Sequence, residues 1–531
     1  GSLEALGIDP EEHDIRFVED NWKSPVLGAW GLGWEVWLNG LEITQFTYFQ
    51  QSGGQTLDPV AVELTYGLER IAMALQRVRD FRNIRWNETL TYGDVQLQSE
   101  QQFSKYAFEL ADVDHLRDMY RLFEEEADRC LEHRQVLPAH DYVLKCSHTF
   151  NLLDTRGAVG VTERQTFFHR MRDLSRRVAD AYLEERQQLE YPWLEDSEGA
   201  PESSEPASFP GGVPKEPAPF LLEIGTEELP PGDVEDALDQ LEELFPDLLS
   251  SLRLDYGEIK VMATPRRLVV HVDDLAPDQQ DLEEMVKGPP ADRAYHESGE
   301  PTRAAQGFAR SKGVEVEDLD VVEVDGGKYV AALEREAGRP AAEVLAETLP
   351  DVVADLNFGQ SMRWNASNVQ FSRPVRWLMA FHGDTPVPFS YAGVASRAAT
   401  RGLRFLEPEE MTLDSPEDYF QELSEQGILL DQQEREASIR RQIDELAAEV
   451  GGRVPEDPEL MTEVTHLVEA PTAVRGEFDR HYLDLPREVL ISVMKKHQRY
   501  FPVVDEEGML PYFLTVANKP RVPEPQQAYR T

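Results

Sequence analysis

Asn39-Gly40, set between two runs of strand-forming residues, constrains the fold of this chain more than any other short feature. A two-residue type I′ loop needs positive φ at both central residues, and Asn-Gly supplies it at low steric cost. The stretch from Gly28 to Gln51 therefore reads as a β-hairpin. Turn length sets the register: Leu38 with Leu41, Trp37 with Glu42, Val36 with Ile43, Glu35 with Thr44, and Trp34 with Gln45. Trp34, Gln45 and Thr47 then share one face, and Glu42 and Thr44 the other. Aromatic and polar groups on both faces fit either the floor of a small-molecule site or a sheet covered on both sides. The two polar sets exclude each other unless the strand bulges.

Val60 to Tyr66 alternates like a strand, and Gly67 marks a change of period. Leu68, Ile71, Ala72 and Leu75 then follow helical spacing. This helix carries Glu69-Arg70 in its first turn, where the helix dipole favours anions rather than cations. An anionic ligand is one reason for Arg70 there, and an ion pair with Glu69 is the other. Glu63 and Thr65 share a face of the preceding strand, so both can line a pocket; the alternative is an edge-strand surface charge.

At 531 residues the chain predicts two to four domains. No apolar run reaches spanning length and no N-terminal charged-then-apolar signal is present, so the expectation is a soluble, unexported protein without a membrane partner. Cys130 and Cys146 form no CxxC pattern, which fits a reducing cytoplasm and predicts no zinc. A formal charge of −48 ordinarily argues against nucleic acid. Spread along most of the chain, it also fits adaptation to a salty interior, and local basic clusters then carry more weight than the total.

The pattern divides the chain at 1–99, 100–193, 194–219, 220–410, 411–517 and 518–531. Asp14 to Glu19 reads as a strand and Glu19 to Pro25 as a loop. Ala111 to Glu132, Ala139 to Leu153 and Thr162 to Tyr191 read as helices, with Asp154-Thr-Arg-Gly157 and Thr162-Glu-Arg164 as caps or inter-helix pairs, the alternative being contact with RNA or with the catalytic domain. The segment 194–219, rich in Glu, Ser, Pro, Gly and Ala, reads as an acidic linker. Beyond it, Phe220 to Ile224, Lys260 to Ala263 and Arg267 to Asp273 are strands, Asp233 to Leu254 is a helix, and Pro416 to Val450 is mostly helical. Residues 518–531 read as a second linker.

Trp30-Gly-Leu-Gly-Trp-Glu-Val-Trp37, Glu42-Ile-Thr-Gln-Phe-Thr-Tyr-Phe-Gln-Gln51, Glu63-Leu-Thr-Tyr-Gly-Leu-Glu-Arg70 and His148-Thr-Phe-Asn-Leu-Leu-Asp154 resemble the α chain of the bacterial two-subunit glycyl-tRNA synthetase. After the linker, Leu222-Glu-Ile-Gly-Thr-Glu-Glu-Leu-Pro-Pro231, Thr264-Pro-Arg-Arg267, Met362-Arg-Trp364, Thr400-Arg-Gly402 and Lys495 to Pro502 resemble the N-terminal part of that enzyme's β chain. The resemblance implies an α+β chain: a partial class II synthetase antiparallel sheet with the third signature motif over 1–99, a helical α-chain domain, the linker, and β-chain domains of mixed structure. It also implies that the first two motifs, and the HD-like and anticodon-binding domains, lie outside these residues.

The same resemblance implies ATP with Mg²⁺, glycine and tRNA(Gly) as ligands, and a homodimer formed through the α-like part. It assigns Arg70 to the ATP tail and adenine region and Glu63 to the substrate ammonium. Trp34, Gln45, Thr47, Glu42, Thr44, Thr65, Gly67 and Glu69 become substrate-binding candidates, with Glu42 or Glu69 in reach of Mg²⁺. The basic positions Arg266, Arg267, Arg363, Arg373, Arg401, Lys495, Lys496 and Arg499 are tRNA-facing candidates, with buried ion pairs or contacts between the two halves as the alternative. The implied activity is glycine–tRNA ligation; the rival is a non-catalytic RNA-binding or scaffold relative.

Overall fold

The computed structural model describes residues 1–191 and 213–520 apart from 297, 325 and 407. Most of the expected 194–219 linker lies outside the described residues, as do the last residues of the expected terminal linker.

Four antiparallel strands form the first sheet in chain order: β1 (Ile15–Ser24), β2 (Ala29–Leu38), β3 (Leu41–Ser52) and β4 (Gln55–Tyr66). Asn39 and Gly40 have φ of 50° and 81°, as the I′ turn requires. The segment Glu19 to Ser24, read as a loop from its polar residues, instead continues β1, because β2 pairs with it through Ser24–Ala29. The helix Leu68–Gln76 follows β4 and buries Ile71 against Val36, Leu38 and Ile43. Its predicted apolar face is only partly used, since Leu68 and Leu75 are exposed and Ala74 packs inward. β4 is an edge strand with Val62, Leu64 and Tyr66 exposed.

The expected division at residue 99 falls inside the helix Tyr92–Lys105, which Thr91 and Asp94 start with a reciprocal capping box. Helices Val113–Glu132, Val136–Thr155 and Val161–Gln188 then pack around Tyr120, Phe150, Phe167 and Met171. Arg164 pairs with Asp154, and Arg117 with Glu163, so both motifs in this region act as inter-helix ties.

Beyond the linker, the main core lies under a five-stranded sheet of order β12-β11-β5-β7-β6, where β5 is Ala218–Thr226, β6 Ile259–Thr264, β7 Arg267–Leu275, β11 Val375–His382 and β12 Thr385–Pro386. The helices Pro231–Ser251 and Ala341–Asp355 cover one face with Leu241, Phe245, Leu345 and Leu349. A smaller three-stranded sheet of β8 (Leu282–Pro290), β9 (Asp320–Val324) and β10 (Gly327–Glu336) branches from it. The predicted helical run from Pro416 is two helices, Pro416–Glu425 and Gln432–Ala448, separated at Gly427, whose φ is 77°. They lead to a third sheet of Pro471–Glu477, Met509–Asn518 and Phe501–Val504. The expected division between 410 and 411 runs through the strand Glu410–Thr412.

Asn518 and Lys519 belong to this fold rather than to a linker. The Asn518 side-chain carbonyl accepts from the backbone N–H groups of Glu469 and Ala470, and Lys519 donates to the carbonyls of Pro10 and Glu11 at 2.8 and 2.6 Å.

Arg435 is fully buried and donates to the carbonyls of Thr465, Leu429, Leu430 and Ala263, which ties the helix Gln432–Ala448 to two neighbouring segments. Next to it, burial and then the Arg435 charge push His466 down to about 4. The folded chain thus keeps this imidazole neutral where the unfolded chain, with a pKa near 6.5, takes up a proton. Stability from this site is present above pH 6.5 and is lost as pH falls from 6.5 toward 4, by on the order of 3 kcal/mol. Urea unfolding across that range should show His466→Gln losing less stability than the parent chain; parallel pH profiles would show that His466 does not govern this limb.

Candidate active site

The register of the hairpin decides which side chains can meet a ligand. Leu38–Leu41 and Trp37–Glu42 pair as expected, but Val36 then pairs with Thr44, Glu35 with Gln45, Trp34 with Phe46 and Gly33 with Thr47. Ile43 is the extra residue of a β-bulge, and its side chain is buried in the small core under the helix Leu68–Gln76. The bulge corrects the expected faces. Glu42, Gln45 and Thr47 come to one face together, while Trp34 and Thr44 turn to the other.

The β3–β4 pairing puts Thr65 beside Gln45 and Glu63 beside Thr47, and β1 adds Asp20 opposite Gly33. One face therefore carries Asp20, Glu35, Glu42, Gln45, Thr47, Glu63 and Thr65. Gln45 donates to the Asp20 carboxylate, Thr65 Oγ1 to Glu63 at 2.7 Å, and Trp37 Nε1 to Glu35 at 2.8 Å. Burial, then repulsion from Glu42 and Glu19, raises the Asp20 pKa. Burial also raises that of Glu35, with Glu42 and Asp20 adding to it and the Trp37 hydrogen bond and the Arg499 charge opposing it. Such a surface favours a cation. Gly31 and Gly33 keep the floor low: a Cβ at Gly33 would stand 1.9 Å from the Phe46 carbonyl oxygen, and one at Gly31 2.6 Å from Thr47 Cγ2.

Gly67 starts the helix, donating its N–H to the Ile43 carbonyl at 2.8 Å and accepting from Ile71 N–H. Arg70 reaches back to the bulged strand and binds both the carboxylate and the carbonyl of Glu42, with its side chain about half exposed. Its partner is thus Glu42, not Glu69, which accepts from the Tyr92 hydroxyl at 2.9 Å. Thr44 Oγ1 donates to the Thr65 carbonyl and only holds the two strands together.

Trp34 does not face this surface. Its ring stacks on Phe46 at 5.0 Å, its Nε1 donates to the Glu228 carbonyl at 2.9 Å, and the Arg373 guanidinium lies 5.1 Å from its centroid. Trp34 is a contact between the two halves of the chain rather than a pocket wall.

Three of the eight basic positions expected to face RNA are buried. Arg267 is fully buried between Glu223 and Glu469 at 3.3 and 3.0 Å, Arg266 is buried near Glu469 and Glu228, and Arg373 is buried with Glu19 at 3.6 Å. The carboxylates more than offset burial at Arg267, whereas burial wins at Arg266 and Arg373 and lowers their pKa. Arg363 donates to the carbonyls of Gln50 and Leu57 across the two halves. Lys495 pairs with Asp457 and Glu459, and Arg499 with Glu463. Lys496 is exposed, and Arg401 is half-buried beside the Trp377 ring. Asp20 and Glu35, which share this face, were not among the positions expected from the sequence. Asp20 fell in the segment read as a loop, although its two-residue spacing from Val18 and Trp22, on one face of a strand, was the available signal.

An antiparallel sheet with a bulged hairpin leading through glycine into an Arg-bearing helix is the architecture of a class II aminoacyl-tRNA synthetase. Residues 1–187 match the family model described as Glycyl-tRNA synthetase alpha subunit, and residues 220–528 match that described as Glycyl-tRNA synthetase beta subunit. The chain belongs to the glycyl-tRNA synthetase family, with α-type and β-type units in one polypeptide. It is 48% identical over 97% of its length to a chloroplastic/mitochondrial glycine–tRNA ligase of Arabidopsis thaliana, of which it covers 49%. With the glycine–tRNA ligase of Chlamydia pneumoniae it shares 37% identity over 94% of its length and 50% of that protein. A glycine–tRNA ligase beta subunit of Desulfitobacterium hafniense is 46% identical over 56% of this chain and 43% of its own. The chain thus spans about half the length of the relatives it matches. Among the described residues no helix is long and apolar enough to cross a membrane.

Because the Gly33 Cβ position is blocked by strand backbone, Gly33→Ala should destabilise the first sheet by about 3 kcal/mol. Gly307→Ala, in a helix with nothing within 4 Å, should be neutral or slightly stabilising. Equal unfolding midpoints for the two variants in urea would contradict the packing described.

Proposed function

We propose that the gene product containing these 531 residues is a glycine–tRNA ligase, which activates glycine with ATP and transfers it to the 3′ end of tRNA(Gly). The observation that carries this reading is one sheet face on which Asp20, Glu35, Glu42, Gln45 and Glu63 converge, with Arg70 at its rim. Family membership supports the same reading.

In the first step a glycine carboxylate oxygen attacks the α-phosphorus of ATP, pyrophosphate leaves, and glycyl-adenylate forms. In the second, a terminal ribose hydroxyl of tRNA attacks the activated carbonyl and AMP leaves. Neither step needs a protein nucleophile, so the chain must position reactants and balance charge. Glu63 accepts the glycine ammonium, helped by the field of Asp20 and Glu35. Thr65, Gln45 and Thr47 flank that position. Since Trp34 lies on the other face, rejection of a methyl substituent falls to Gln45 and Thr47 over the glycine floor.

Arg70 binds the anionic ATP tail, for which its planar guanidinium offers paired donors. It must then share or release Glu42. Glu42 and Glu69 are already engaged by Arg70 and Tyr92, so Mg²⁺ is read as arriving with ATP, held chiefly by phosphate oxygens. The finer features of the proposal are a homodimer through the α-type part and a cytoplasmic setting, the latter supported by Cys130 and Cys146 being free thiols.

Glycine-dependent exchange of pyrophosphate into ATP tests this reading. Exchange is expected with glycine and not with alanine, and Glu63→Gln should raise KM for glycine at least about tenfold with a smaller effect on kcat. Absence of glycine-dependent exchange by the parent gene product would replace the enzyme with a non-catalytic relative. An unchanged KM in Glu63→Gln would remove Glu63 from the ammonium site.

A further inference from the structure

A second concave site lies in the β-type half. It is a cavity of ≈ 230 Å³ whose walls include Arg376, Trp377, Arg397 and Arg401. Glu410 is the one carboxylate among the described residues that line it. Three guanidinium groups against one carboxylate stand out locally in a chain with 100 acidic and 52 basic residues.

The arginines are held by their backbones. Arg401 pairs with Glu410 in a short antiparallel ladder, and its carbonyl accepts from Arg267 at 3.0 Å. The Arg397 N–H donates to the Leu378 carbonyl at 2.9 Å, beside the parallel bridge between Leu378 and Ser396. Arg376 lies on β11, with its side chain half exposed and 3.1 Å from Glu227. Among the described residues this is its one ion pair, which leaves further N–H donors for another acceptor. Arg397 is exposed at the mouth.

We infer that this cavity receives a backbone phosphate of the tRNA that the proposed function requires, clamped by Arg397, Arg401 and Arg376. The volume is below the usual range for a whole small-molecule ligand, which favours a phosphate of a strand passing over the cavity rather than an entire nucleotide. Trp377 offers no platform for a base. The guanidinium groups of Arg266, Arg267 and Arg401 lie 5.5, 5.7 and 5.4 Å from its ring centroid, and the ring itself is buried. The contact is therefore electrostatic and bidentate, positioning the RNA without reading its sequence.

The inference rests on the ligase reading, and its test separates the two. Binding of a tRNA(Gly) transcript to the gene product is measured against salt concentration, for the parent, Arg397→Ala and Arg397→Lys. Exposure of Arg397 makes both variants compatible with folding, and unfolding midpoints equal to the parent's verify this. Arg397→Ala should weaken binding about 5- to 20-fold at low salt and lower the log–log salt slope by about one, while Arg397→Lys should restore the slope but only part of the affinity. Arg310→Ala, an exposed arginine in the helix Arg303–Lys312, should leave both unchanged. Parent-like affinity and slope in Arg397→Ala would overturn the site, whatever the exchange assay shows. So would protection of Arg397 from phenylglyoxal by ATP alone, since the cavity would then serve a mononucleotide. Failure of glycine-dependent exchange with a normal salt effect at Arg397 would overturn the ligase reading and leave the RNA contact standing.

Discussion

The Arg267 guanidinium, with no solvent exposure, is the point on which the β-type half is assembled. It lies between Glu223 on β5 and Glu469, and donates to the Arg401 carbonyl; Thr400 and Tyr419 donate to the same Glu223 carboxylate, and Thr264 to Glu469. Burial alone would lower the Arg267 pKa, but the two carboxylates more than offset it and leave the pKa raised. Glu469 is held ionised by Arg267 and Arg266 in spite of burial, whereas burial wins at Glu223 and raises its pKa. A buried charge whose partner is removed costs several kcal/mol, so strand, turn and helix segments far apart in sequence are obliged to stay together.

The same network extends into the α-type half. Arg266 approaches Glu228, Arg404 binds both Glu227 and Glu228, and the Arg404 guanidinium lies over the Phe17 ring at 4.6 Å. Phe17 stacks on Phe405, and Trp34 receives Arg373. These contacts all fall on the sheet face opposite Asp20, Gln45 and Glu63. One face of the first sheet thus joins the two units, and the other carries the carboxylates, meeting the β-type half at its Arg16 end, where Arg16 donates to Thr515. The reading of the aromatic hairpin as a covered sheet holds for this face, and a small-molecule floor is the reading proposed for the other.

The parts of this arrangement that follow from local rules were legible in the sequence. Asn39-Gly40 specified the turn, Gly67 the change from strand to helix, and apolar spacing most of the helices. The bulge at Ile43 was not legible, because it depends on Ile43 finding a core beneath the helix Leu68–Gln76, a tertiary gain that no local propensity records. The fate of the basic clusters was hidden for a similar reason. Arg267 and Glu469 are 202 positions apart, and nothing near Thr264-Pro-Arg-Arg267 indicates that a carboxylate will arrive there. Residues Glu19 to Ser24 looked like a loop because their polarity belongs to a carboxylate-bearing sheet face and to an interface, not to exposure at a turn.

The bulge does more than exchange Trp34 for Glu42. It shortens the distance in register between Glu42 and Gln45, so that a carboxylate able to hold Arg70 joins the face that also carries Glu63. Arg70 is then neutralised in the absence of an anion, which keeps a cation at a helix N-terminus from opposing the dipole uncompensated. On the proposed ligase reading, an incoming polyphosphate would supply a stronger, bidentate partner and free negative potential at Glu42 beside the ammonium site proposed at Glu63. One extra residue in one strand would thereby couple the two ends of the proposed ligand pair, ammonium and phosphate, through the single ion pair of Arg70 with Glu42.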